Sequence, residues 1–249
     1  MMELAIVGAG GFGRETKRWA LDCEVSGLFP YTFYVDDEYA KGDIRPLSQL
    51  DGLRSVAVIA VGSPSDRQHI ADRVRSDVQY TKLIHNTAIC KKEQVGVGAI
   101  ICPYVVVTVN CKIGKHFHAN LHSDVGHDCT IGDCVTLAPS ARVSGNCTIG
   151  NRVYIGTNAV IREGVTICDD VTIGAGAVVL NDITDAGTYV GMPAKKVTKK
   201  EAVDSTYYVK RNLIDFGNFL LSKERKSDSD GVTDADFQNW IATQTKAGK

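Results

Sequence analysis

The sequence predicts an α/β Rossmann-like N-terminal domain, then an all-β parallel β-helix, then a helical C-terminal tail. Three observations carry that prediction. A glycine-rich turn, Gly8-x-Gly10-x-x-Gly13, follows a short apolar run at the start of the chain. From Leu83 to Val179 a small or branched aliphatic residue recurs every six positions. Past residue 197 the period is lost, and two stretches carry apolar residues at helical spacing instead. The expected domains are therefore residues 1–82, 83–197 and 198–249.

In the first domain, "LAIV" reads as a buried strand, the glycine turn lets the backbone approach a phosphate, and "RETKRWAL" reads as the helix that follows. "YTFYVDD" is a second strand ending at Asp36 and Asp37, where a carboxylate can hydrogen-bond a ribose or base. A third strand, "SVAVIAVG", ends at Gly62, and "SPSDRQHIADRV" is a helix opened by Ser63 or Ser65 with Pro64 in its first turn. All three strand ends should face one crevice. Only about 80 residues precede the repeat, roughly one mononucleotide-binding half of a dinucleotide fold. A single nucleotide therefore suits the module better than NAD, and a packing domain without ligand stays open.

In the second domain, sixteen of the seventeen lead positions from Leu83 to Val179 are Val, Ile or Leu, with Ala119 the exception. The fifth residue of each unit is usually small or β-branched, and Gly often follows the lead residue. A short strand cannot bury its apolar face until neighbouring coils stack on it, so a period of six maintained over residues 83–184 specifies a β-helix with three units to each coil. Cys111, Cys129 and Cys147 are three units apart and all fifth in their units, so they should form one inward column of small core residues.

In the tail, "TYYVKRNLIDFGNFLL" and "TDADFQNWIATQ" read as helices, the second capped by Thr233-x-x-Asp236, with "KSDSDG" as a linker. Docking on a neighbouring subunit would use them. The whole chain has 249 residues, 44% of them hydrophobic, and 28 basic against 29 acidic residues. This balance gives no overall pull toward nucleic acid or an anionic membrane. No apolar run reaches the roughly 18 residues of a membrane span, and the start lacks the regions of a signal peptide, so a soluble cytoplasmic protein is expected. Eight cysteines without a CxxC pair suit a reduced compartment and no metal.

The stretch "SDVGHDCTIGDCV", residues 123–135, gathers a histidine, aspartates and cysteines. A metal site, a Cys/His nucleophile pair and a polar turn are the three readings. The period separates them. His127 is third in its unit and points out, while Val125 and Cys129 point in, which removes Cys129 as an acyl-enzyme nucleophile. From the pattern alone, His127 is either a solvated surface residue or a base. His116, His118 and His122 lie earlier in the coils and share no ligand spacing.

The repeat resembles the left-handed parallel β-helix acyltransferases. With "VGAGGFGRE", "VDDE", "AVGSP", "GHDCTIGD" and "VGMPAKKV", residues 2 to about 197 resemble the hexapeptide-repeat sugar acetyltransferases of the sialic acid and bacillosamine pathway type. That resemblance implies acetyl transfer from acetyl-CoA to the amino group of a nucleotide-linked amino sugar, and a homotrimer with sites between adjacent β-helices. A sugar O-acetyltransferase and a non-catalytic nucleotide-sugar-binding scaffold are the alternatives. It further implies that His127 is the general base, oriented by Asp128. Gly10, Gly11, Phe12, Asp36, Asp37 and Gly62 match the nucleotide-sugar positions. Thr136, Thr157 and Ala175 match the coenzyme positions, and Lys195 and Lys196 would meet its phosphates. Gly145, one full coil past His127, would offer an N–H to the thioester oxyanion. Bacillosamine-type enzymes carry Ser and His where this chain has Gly10 and Phe12.

Overall fold

The five N-terminal strands all run parallel, so their carboxyl ends share one edge. A computed structural model describes residues 2–23 and 30–197. The strands are β1 (Glu3–Val7), β2 (Tyr31–Val35), β3 (Arg45–Pro46), β4 (Ser55–Ile59) and β5 (Gln79–Tyr80), in the order β3-β2-β1-β4-β5. Each adjacent pair is parallel. Two short edge strands thus flank the three expected from the apolar runs. Helix α1 (Gly11–Ala20) follows β1, and α2 (Pro64–Arg73) follows β4. Ser63 is the cap of α2, its Oγ accepting the Asp66 N–H, with Pro64 in the first turn. Gly8 has φ +109°, and a Cβ on Gly13 would lie 1.9 Å from the Gly8 carbonyl oxygen. Glycine is therefore required at both ends of the turn by backbone conformation and by closeness of packing.

Residues 83–190 form three sheets of short parallel strands wound as a β-helix, and Lys195–Val197 adds a last strand to the edge of one of them. The first face includes Ile100–Ile101, His118–Ala119, Thr136–Leu137 and Tyr154–Ile155. The second includes Val106–Val107, Asp124–Val125, Arg142–Val143 and Val160–Ile161. The third includes Lys112–Ile113, Thr130–Ile131 and Thr148–Ile149. Neighbouring coils pair three full units apart, as in Ala119 with Leu137 and Leu137 with Ile155. Every sixth residue from 98 to 176 has positive φ, including Asn110 at 58°, His122 at 57°, Asp128 at 58° and Asn146 at 58°. One left-handed residue at the fourth position of each unit is what turns the chain sharply enough to start the next face. The inward column Cys111, Cys129 and Cys147 is buried as expected.

Both ends of the repeat depart from the count of six. In the first coil Leu83 pairs with Ile100 and Ile84 with Ile101, one position short of three full units. Ile84 and Cys90 therefore occupy the lead column, and Ile89 points outward beside Val106, 67% exposed. The missing position falls in the turn that holds the 3-10 helix Lys92–Gln94. At the far end Ile167 bridges Ile183, two positions short of the same count. Terminal coils stack on one neighbour only, so nothing on the open side holds the count.

The first face of the coil packs against the N-terminal sheet and α1, and the described residues up to Lys196 form one compact unit. Leu83, Ile100, His118 and Thr136 point out from the coil and are nonetheless buried. Both helical stretches expected in residues 198–249 lie outside the described residues.

Candidate functional site

His127 follows the second-face strand Asp124–Val125, in the turn that leads to the third face. Its side chain is half-exposed, and Nδ1 lies 2.7 Å from Asp128 Oδ2. The left-handed backbone at Asp128 folds its carboxylate back beside the ring. Asp128 Oδ1 also accepts Asn110 Nδ2–H at 2.9 Å, from the preceding coil. These hydrogen bonds, Asn110's first and His127's second, hold the Asp128 carboxyl below the usual carboxylate range. An ionised carboxylate only accepts, so Nδ1 carries the proton and Nε2 presents a lone pair. Gly145, in the following coil, lies against the ring. A Cβ there would sit 2.6 Å from His127 Nε2. Gly145 is buried, and its N–H donates to no group among the described residues.

Cys129 faces inward with its Sγ directed at the Ser144 carbonyl, so it belongs to the core. The other coil histidines are differently placed. Burial, then Arg67, pushes His116 down to about 4 and His118 well below the ordinary histidine value. His122 stacks on Tyr104 at 5.0 Å. His85 is buried, 3.8 Å from Asp22. Among the described residues no group of three or more His, Cys, Asp or Glu is placed to hold a metal ion, and no helix is long and apolar enough to cross a membrane.

At the carboxyl edge of the N-terminal sheet, Asp36 and Asp37 line an open cavity of about 460 Å³ with Ser48, Arg73 and Arg75. Arg73 pairs with Asp36. Asp37 Oδ1 accepts the Ser48 N–H, and hydrogen bonding at Ser48 holds its carboxyl low. Gly10 is the N-cap of α1, no side chain caps that end, and Gly11 opens the helix, leaving backbone N–H groups to face an anion. Phe12 and Gly62 line a smaller cavity of about 150 Å³ at the seam with the coil, together with Glu15, His118 and Tyr154. Gly62 also borders a groove of about 530 Å³ with Ser63, Arg152 and Asp170.

The candidate coenzyme positions are not gathered in one chain. Thr157 and Ala175 are exposed and stack in the turn between the first and second faces, on the other side of the second face from His127 and Gly145. Lys195 and Lys196 are exposed in Lys195–Val197 at the end of the first face. Thr136 is only 6% exposed, and its hydroxyl donates to the Gly62 carbonyl and accepts from Arg67. Its burial has a plain cause: at Thr136 the first face is covered by the N-terminal domain, and the residue lines the small seam cavity with Phe12 and Gly62.

Asn110 and Arg67 escaped the sequence reading. Asn110 was within reach, because counting back three units from Asp128 finds it. Arg67 gave no signal, since an arginine in "SDRQHI" looks like an ordinary solvated helix residue.

Residues 146–181 match the bacterial transferase hexapeptide (six repeats) family. Over 150 residues the chain is 33% identical to GDP-perosamine N-acetyltransferase of Escherichia coli O157:H7, spanning 55% of this chain and 67% of that protein. The acetyltransferase domain of PglB from Neisseria gonorrhoeae FA1090, solved with acetyl coenzyme A, superposes with TM-score 0.70 at 29% identity, covering 78% of this chain and 98% of that one. PerB from Caulobacter crescentus, solved with CoA and GDP-perosamine, gives TM-score 0.71 at 25% identity over 80% and 98% of the two chains.

Proposed function

Because the chain belongs to the hexapeptide-repeat sugar N-acetyltransferases, we propose that it transfers the acetyl group of acetyl-CoA to the amine of a nucleotide-linked amino sugar, with His127 as general base. The observation that carries the assignment of the base is the Asn110–Asp128–His127 chain of hydrogen bonds on an external turn. Asp128 holds the proton on Nδ1, so Nε2 is free to take one from the attacking amine. The amine nitrogen bonds to the thioester carbonyl carbon, and the developing oxyanion is met by the Gly145 N–H. As the C–S bond breaks, the imidazolium returns its proton to the departing thiolate. Asp128 stabilises the imidazolium between these two transfers. No covalent acyl-enzyme is involved.

The N-terminal module would bind the nucleotide sugar. Gly10, Gly11 and Phe12 at the start of α1 suit its phosphates, and Asp36 and Asp37 suit the nucleoside. Thr157 and Ala175 would line the coenzyme groove, with Lys195 and Lys196 near its phosphates. His127 and the Thr157–Ala175 column lie along opposite edges of the second face of the β-helix, so a site using both needs two copies of the chain. This favours a homotrimer of left-handed β-helices with three shared sites. The test is a panel of nucleotide-linked amino sugars, GDP-perosamine first, incubated with acetyl-CoA while free thiol is followed. Sugar-dependent thiol release is expected. Release that is independent of every sugar, or dependent only on sugars without an amine, would overturn N-acetylation.

A further inference from the structure

The guanidinium of Arg67, on α2, is completely buried. Among the described residues it has no carboxylate partner. It is satisfied by oxygens from two parts of the molecule. Nη1 donates to the carbonyls of Val61 at 2.6 Å and Gly62 at 3.3 Å, in the loop between β4 and α2. Nε donates to the His116 carbonyl at 2.9 Å. Nη2 donates to the carbonyls of Cys134 at 2.8 Å and Val135 at 3.2 Å, and to Thr136 Oγ1 at 2.8 Å. The Thr136 hydroxyl donates its own hydrogen bond to the Gly62 carbonyl at 2.9 Å. One side chain thus joins the Gly62 loop to two successive coils.

Burying a cation without a counter-charge is costly, and it is tolerable only when every donor is met. Arg67 meets that condition through the flat, five-donor geometry of the guanidinium, which lysine lacks. Burial lowers its pKa to about 10, which leaves it charged at neutral pH. The His116, Cys134 and Val135 carbonyls it grips belong to coils whose register is set by stacked strands, so the loop is tied to a rigid reference.

We propose that Arg67 is a positioning residue which, with Thr136, fixes the Gly62 loop on the coil and thereby sets the pose of the nucleotide sugar, leaving the acetyl donor unaffected. The inference rests on the reading of Gly62 as a nucleotide-sugar position. It also gives Thr136 a different role from the coenzyme contact implied by family resemblance.

Three variants of the full chain test it: Arg67→Lys, Thr136→Val and Thr136→Ser. With GDP-perosamine and acetyl-CoA as probes, the first two are expected to raise KM for GDP-perosamine about tenfold, while kcat and KM for acetyl-CoA stay within about twofold. Thr136→Ser, which keeps the hydroxyl, should restore the wild-type value. Without any substrate, hydrogen exchange of the first-turn amides of α2 should quicken about tenfold in the same two variants, with the coil amides unchanged. A rise in KM for acetyl-CoA in Thr136→Val would put Thr136 back in the acetyl-donor site. Unchanged exchange and unchanged KM for GDP-perosamine would likewise overturn the proposal. If the wild-type chain acetylated no nucleotide-linked amino sugar, the functional reading would fall, and the exchange measurement would still decide whether Arg67 and Thr136 hold the loop.

Discussion

His127 Nδ1 lies 2.7 Å from Asp128 Oδ2, although the two residues are consecutive and their unit faces solvent. The left-handed backbone at Asp128 makes this possible by folding its side chain back beside the imidazole. Replacing His127 by Ala should lower turnover by about 10²–10⁴-fold, the usual worth of a general base, with KM for both substrates little changed. Asp128→Asn should cost less, on the order of tenfold to a hundredfold, because the base is weakened and misoriented but still present. Single-turnover rates of the two variants check this. Wild-type chemistry in His127→Ala would return the histidine to the solvated surface.

Gly145 sets the height of that imidazole. Its φ is not in the left-handed region, so alanine is acceptable to the backbone, but the added Cβ would lie 2.6 Å from His127 Nε2. The ring must move, and a displacement of about 1 Å can cost on the order of 10²-fold in rate. Gly145→Ala should therefore lose turnover with nearly unchanged thermal stability. Equal activity of the two proteins would show that the ring has no fixed working position.

A shared site makes a stricter prediction about assembly. Ala175→Trp should obstruct the turn between the first and second faces, and His127→Ala removes the base from the other turn. Each protein alone should be nearly inactive. Refolded together, they should regain activity, because some interfaces then combine an intact turn from each copy. A fully active monomer in solution-mass measurements would exclude the shared site.

The seam histidines predict a loss of stability in mild acid. Burial, then Arg67, holds His116 at about 4 and His118 well below its ordinary value. An unfolded histidine titrates near 6.5, so between about 6.5 and 4 the unfolded chain binds more protons than the folded one. Stability present at pH 7 should then fall with pH through this window, by up to about 1.4 kcal/mol per pH unit for each histidine. Urea midpoints at pH 7, 6 and 5 measure it, and His116→Asn should flatten the decline. A midpoint independent of pH over that range would contradict the neutral, buried state of both rings.

What the sequence determined by itself was the inside and outside of each coil. A period of six over stacked units leaves Val125 and Cys129 no direction but inward and His127 none but outward, because only one alternation buries the aliphatic column. The same count stacks Gly145 on His127, and it contains Asn110. It misjudged Leu83 and Ile89, since the first coil obeys the hydrogen-bond register of its single neighbour, and two adjacent aliphatic residues at 83 and 84 fit either phase. Only the tertiary structure decided what covers the outside. His118, Thr136 and Arg67 each look solvated within their own element, and each is buried because another element lies against it. Local periodicity records which way a side chain faces relative to its own strand or helix. It holds no record of a second surface brought there by segments distant along the chain, such as the Cys134–Thr136 stretch that receives Arg67.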